Sequence, residues 1–214
     1  MSGPGPTVLA ERPAVCHSQV ETVIAQGYCI GCGACAAWPE SPYRVELDAY
    51  GAYQARAAAP VAPALAAVLD LICPFSDAAD DEDTIADALF GDALPRHPRI
   101  GRYLATYAGH VEEAGFREQG SSGGLGSWLA DQLLARGLAD AVVQVAPAMP
   151  SVEGAQTAGK EALFRYRIAR DRTELGAGAK SRYHPVTLAQ VLAQVRAWPG
   201  RYVFVGLPCF IKAI

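Results

Sequence analysis

Residues 121–146, SSGGLGSWLADQLLARGLADAVVQVA, decide the fold class. Two serines and two glycines open a stretch whose apolar residues over 122–136 recur at helical spacing, and Gly137 ends it. The apolar run 141–146 that follows is short and β-branched, as a buried strand is. Working outward, residues 103–110 and 163–170 read as strands, 188–198 as a helix and 202–206 as a third apolar strand. Strand and helix in alternation call for an α/β domain with a mixed or parallel sheet. Residues 208–214 read as a loop and one helical turn, so the chain is expected to be the front part of a longer protein, with its α/β domain incomplete.

Upstream the pattern changes near 95–98. Residues 1–15 hold three prolines and two glycines and read as a loose tail. Residues 18–26 suit a short helix with Ser18 as N-cap and Gly27 as stop. Residues 43–57 alternate apolar and polar on either side of a turn at 48–51, the pattern of a hairpin, and 62–72 reads as a helix that delivers Cys73 at its end. The five acidic residues within 77–83 read as a solvated turn that could also guide an electron-transfer partner. The expected division is 1–27 as tail and short helix, 28–95 as a cysteine-bearing region with an acidic linker, and 96–214 as the α/β domain.

The chain has 214 residues, 51% apolar and 19% charged, enough to bury a core. A net charge of -4 argues against nucleic acid as a partner. No stretch reaches the roughly 20 apolar residues of a membrane span. No basic, apolar leader is visible, so six cysteines point to the cytoplasm and to metal or redox chemistry rather than a disulfide framework.

The cysteines are patterned. Cys29, Cys32 and Cys35 stand in CIGCGAC, a C-x2-C-x2-C run whose glycines permit tight turns and leave amides free for sulfur. Three thiolates so spaced can converge on one corner of a 4Fe–4S cubane. The ferredoxin-type fourth cysteine is absent after Cys35, and Cys73, followed by Pro74, is the natural replacement. A four-thiolate zinc site and plain packing remain alternatives. Cys16 beside His17 reads as an incidental thiol, and His110 and His184 as ordinary surface or core histidines.

In the α/β half, Ser121, Ser122, Gly123 and Gly124 stand at a helix start, where free amides and the helix dipole favour an anion. A serine N-cap with small residues for close packing explains the same letters equally well. GLPC, 206–209, lies at a strand end where α/β folds place ligands, so Cys209 could face a cofactor, ligate a metal or pack. Lys180 to Tyr183, KSRY, form a basic and aromatic group suited to an anionic cofactor or to solvent.

CIGCGAC with a later CPF, then GRYLATYAGH, SSGGLGSWLADQLLARGLADAVVQV, KSRYHPVT and RYVFVGLPCFIKAI, occur in that order. The ordered set resembles the coenzyme F-420 hydrogenase/dehydrogenase beta subunit family over about residues 25–214. The resemblance implies a cytoplasmic oxidoreductase that moves electrons between a 4Fe–4S cluster, FAD and a hydride carrier or small-molecule substrate. Coenzyme F-420 is one candidate carrier, and ferredoxin or another oxidoreductase subunit the redox partner. It assigns the SSGG turn, with Lys180 and Tyr183, to the flavin, and Cys209 to a second cluster or the flavin rim. A non-catalytic electron-transfer or metal-binding subunit, or an inactive fragment, is the alternative.

Overall fold

The computed structural model describes residues 18–113, 115–148 and 162–214. The expected N-terminal tail, Cys16 and His17 lie outside these residues.

Helix α1 (Gln19–Ala25) starts where Ser18 accepts a 3.2 Å hydrogen bond from the Glu21 N–H, a cap worth about 1 kcal/mol. The cysteine loop leads into a single turn, α2 (Ala34–Ala37). Strands β1 (Tyr43–Leu47) and β2 (Tyr53–Ala57) form the expected antiparallel hairpin, pairing Tyr43 with Ala57 and Leu47 with Tyr53. Asp48 closes its turn by accepting from the Tyr50 and Ala52 amides at 2.8 and 2.9 Å. Helix α3 (Pro63–Ile72), with proline in its first turn, hands the chain to Cys73. Val20, Cys35, Tyr43, Ala55 and Leu69 bury the first core between these elements. The Asp70 carboxylate accepts from the Val20 N–H at 2.9 Å and so ties α1 to α3.

The acidic stretch is more structured than a solvated turn. Asp81 caps helix α4 (Glu82–Phe90) by accepting from the Thr84 amide at 2.7 Å, and Glu82 and Asp83 occupy the first turn, where the helix dipole favours negative charge. A 3-10 turn (Gly91–Ala93) follows, then a miniature hairpin of β3 (Arg96–His97) and β4 (Gly101–Arg102). Arg96 pairs with Asp83, and Arg102 reaches Asp87 at 2.6 Å and the Leu94 carbonyl at 2.9 Å. The acids of α4 thus face arginines that lie beyond the turn.

Residues 103–110 do not form the expected strand. Leu104 and Tyr107 are 82% and 93% exposed, so the apolar letters of this stretch face solvent and have no sheet to join. The α/β half then runs α5 (Phe116–Gln119), α6 (Leu125–Ala135), β5 (Ala141–Pro147), β6 (Phe164–Ala169), α7 (Arg172–Ala177), α8 (Ala189–Ala197), β7 (Tyr202–Phe204) and α9 (Pro208–Lys212). The sheet order is β6-β5-β7, antiparallel between β5 and β6 and parallel between β5 and β7. The expected mixed sheet is present, and the whole chain is a mixed α and β protein with small sheets. Val142 and Val143, both fully buried, point to opposite faces. Val142 packs with Ala130, Ala169 and Leu175 from the α6 and α7 side; Val143 packs with Tyr166, Leu188, Val191 and Phe210 from the α8 and α9 side. No described helix is long and apolar enough to cross a membrane.

The parallel pair is clasped at its start. The Asp140 carboxylate accepts from the Arg201 backbone N–H and from Nη2, each at 2.8 Å, while the Asp140 N–H donates to the Arg201 carbonyl at 2.8 Å. The Arg201 side chain and then its amide hold the Asp140 carboxyl down at about 2. A carboxyl depressed in the fold stabilises it above the ordinary carboxylate range, near pH 4, and loses that effect as pH falls through about 2. Asp140→Asn should therefore lower the melting temperature slightly at pH 7, with the gap from the parent protein closing between about pH 4 and 2. Thermal melts across that range check it; a constant gap would refute the assignment.

Candidate functional site

Two candidate sites adjoin. The first is a pocket lined by Cys29, Cys32, Cys35 and Cys73 together with Val20, Ile24, Ile30, Ala55 and Phe75. The run of glycines in the loop has a steric reason. Gly31 and Gly33 take φ of +66° and +86°, and a Cβ at Gly31 would collide with the Tyr53 backbone, one at Gly33 with Thr187 and the Ala189 amide. All the thiols are free. Burial pushes the Cys32 thiol up to about 11, helped by charge on Cys73 and Cys29. Burial also pushes Cys35 up to about 12, with Cys32, Cys29 and Cys73 adding to it. Cys73 is raised by burial and by Cys29. The four sulfurs therefore feel one another, which places the Cys-Pro of residues 73 and 74 beside the C-x2-C-x2-C run, as the sequence suggested. Backbone N–H groups of Gly33 and Ala34 point at the Cys32 sulfur, that of Ala36 at Cys35, and those of Phe75 and Ser76 at Cys73. Among the described residues, no group of three or more His, Cys, Asp or Glu side chains forms a ready-made metal site. The sulfurs surround a common pocket without being drawn onto a single point.

The second site is a cleft of about 700 Å³, within the range of small-molecule sites, at the C-terminal ends of the parallel strands β5 and β7. Ser121, Ser122, Gly123, Gly124, Lys180 and Tyr183, all singled out in the sequence, line it. They come from two separate segments, joined where Ser121 Oγ accepts from the Ser181 N–H at 2.7 Å. The serines do not cap α6: Gly124 holds that position at φ +77°, with no side-chain cap, and the first-turn residues Leu125, Gly126 and Ser127 reach the cleft. The alternative of a serine cap is thereby corrected. The close-packing part of that alternative holds, since a Cβ on Gly123 would lie 2.8 Å from the Gly109 carbonyl and one on Gly124 2.6 Å from that of Phe116.

Charge distinguishes this cleft. In a chain of net charge -4, Lys180 and Arg182 line it and, among the described residues, not one Asp or Glu does. His184, which reads as bland in the sequence, stands on the same wall with its ring 4.6 Å from that of Phe164. His110 instead faces Glu112 at 3.8 Å. The floor is apolar, with Val145, Tyr166, Val205, Leu207 and Phe210.

Tyr166 is a residue that sequence reasoning passed over. It lies on β6 with its ring 6.1 Å from Phe210, lines the cleft, and has Cys209 and Cys32 as neighbours; burial first, then charge on those sulfurs, pushes its phenol up to about 12. One side chain thus separates the cleft from the cysteine loop. Its only signal was a large polar-tipped aromatic in register with Phe164 and Ile168 on one strand face. Cys209, on α9, is half-buried behind Tyr166 and does not line the cleft.

Residues 106–193 match the family described as coenzyme F420 hydrogenase/dehydrogenase, beta subunit N-term. Over that segment the chain is similar to this family. The resemblance read from the ordered motifs is upheld there, and with it a kinship to subunits of redox enzymes. The match takes in the cleft's serine–glycine turn, α6, the β5–β6 pair and Lys180 to His184; the cysteine loop and residues 206–209 lie outside it. No curated protein compared with the chain matches it.

Gly126 offers a test of the cleft. It sits in the first turn of α6 on the cleft wall, and a Cβ there would meet nothing within 4 Å. Gly126→Leu should keep the fold, with about 0.8 kcal/mol of gained helix propensity, while filling ligand space. The expected result is an unchanged or raised melting temperature, with affinity for FAD, the ligand expected from the sequence, at least tenfold below the parent's in equilibrium titration. FAD affinity equal to the parent's would show that this cleft is not where flavin binds.

Proposed function

We propose that the chain is the iron–sulfur and flavin-binding part of an oxidoreductase, passing electrons between a 4Fe–4S cluster held by Cys29, Cys32, Cys35 and Cys73 and FAD bound in the cleft. The observation that carries this reading is that Tyr166, on the cleft wall, belongs to one packed cluster with Ile30 and Cys32 of the cysteine loop. Kinship to redox enzyme subunits over residues 106–193 supports it. The donor set also fits: four thiols converge on an apolar pocket, amides point at three of their sulfurs, and burial holds Cys32 and Cys35 neutral unless a cationic centre compensates.

The cleft fits FAD by polarity. Lys180 and Arg182 line the same cleft as the first turn of α6, as a phosphate requires, and Tyr166, Val145 and Val205 supply an apolar wall for a ring. When bound, FAD exchanges hydride at its ring and single electrons with a cluster. The protein's own part is to bind and orient. Ser121 ties the two cleft segments together, Gly123 and Gly124 let the backbone approach closely, and the Cys32 carbonyl anchors the cysteine loop to the start of α8. The redox partner is a ferredoxin or another oxidoreductase subunit, and a hydride carrier such as coenzyme F-420, or a small substrate, completes the exchange.

Anaerobic reconstitution with iron and sulfide should give about four irons per chain and a broad visible band. Cys32→Ser should lose most of both and melt earlier, by about 2–4 °C for each kcal/mol of lost ligation. One zinc per chain, with no iron or sulfide bound, would overturn the cluster assignment.

A further inference from the structure

Among the described arginines, Arg182 alone has a buried side-chain donor without a hydrogen bond. Arg102, Arg172 and Arg201 each meet an aspartate, at 2.6, 3.1 and 2.8 Å. Arg182 has no carboxylate partner among the described residues, and its Nε is buried without any hydrogen bond. A buried guanidinium donor left unmatched costs about 1–3 kcal/mol or more, so such an atom marks a place where an acceptor belongs. The side chain is pinned as well, lying 5.4 Å over the Phe164 ring, whose other contact is His184. It lines the cleft, and its neighbour Ser181 is bonded to Ser121 in the turn that leads into α6. Among the described residues, no carboxylate on the cleft wall competes for it.

From this arrangement we infer that Arg182 is the anion-selecting residue of the cleft, taking a phosphate oxygen of the ligand with its unmatched guanidinium edge while the α6 amides take the others. The inference rests on the flavin reading of the cleft and adds to it: the site selects for the phosphate and not only for the ring. A planar guanidinium on an aromatic ring is pre-organised for phosphate in a way that a flexible ammonium is not, which separates Arg182 from the neighbouring Lys180.

The test compares riboflavin, FMN and inorganic pyrophosphate on the parent protein, Arg182→Gln and Arg182→Lys. The parent should bind FMN at least tenfold tighter than riboflavin, and pyrophosphate should raise its melting temperature. Arg182→Gln should bring FMN down to the riboflavin level, leave riboflavin unchanged and abolish the pyrophosphate shift. Arg182→Lys should restore only part of the preference. Unaltered riboflavin binding is the proof that the variant folds; if Arg182→Gln loses riboflavin too, Arg182→Lys alone decides, and full FMN preference in it refutes the guanidinium assignment. Equal affinity of the parent for FMN and riboflavin, or a preference that survives in Arg182→Gln, would overturn the inference while leaving the flavin reading intact. Pyrophosphate protection that depends on Arg182, with no flavin bound at all, would sustain the anion site and defeat the flavin reading.

Discussion

The joint on which the arrangement depends is the carbonyl of Cys32. It accepts from the Leu188 N–H at 2.7 Å and from the Thr187 hydroxyl at 3.2 Å, both at the start of α8. Leu188 is 1% exposed and packs on the same core as Val143 and Tyr166, so a residue of the cysteine loop is fastened to the centre of the sheet. Gly33 next to it must be glycine, because a side chain would strike Thr187. Arg196 strengthens the joint from the other end of α8, donating to the Ala37 carbonyl at 3.0 Å and lying 4.9 Å over Trp38. Without this seam the cysteine pocket and the cleft would be unrelated features of one chain.

How far the sequence could be read follows from the range of the interactions involved. The α1 cap, the β1–β2 hairpin, α3 and the β5 strand depend on neighbours a few residues away, and their letters announce them. The sheet's mixed character was legible from alternation, although its register was not. What failed needed distant partners. Residues 103–110 have strand-like letters but no strand beside them among the described residues, and the distant Arg96 and Arg102 meet Asp83 and Asp87 of α4, whose Asp81 cap is itself a local signal that was passed over.

The candidate site shows the same division. The C-x2-C-x2-C spacing is a local signal and named three cysteines, while Cys73 needed the hairpin and α3 to bring it round. Ser121 and Lys180 were noticed separately; that they share one wall is a matter of the fold alone. Arg182 was read with its neighbours as a basic group suited to an anion or to solvent, and His184 as ordinary; among the described residues, the lack of any acid lining the cleft decides between those readings. The serine–glycine turn was read as a cap or an anion cradle. Its glycines serve close packing against Gly109 and Phe116, and Gly124 rather than a serine stands at the start of α6.

Tyr166 shows why the two sites constrain each other. Its hydroxyl lies against Gly206, where a Cβ would come within 2.7 Å of it, so the strand-end turn before Cys209 can only be glycine while tyrosine occupies β6. The same ring packs on Phe210 of α9 and has Cys32 as a neighbour. Any movement of the cysteine loop is therefore felt at the floor of the cleft through a single rigid aromatic side chain, and close packing makes such a contact stiff.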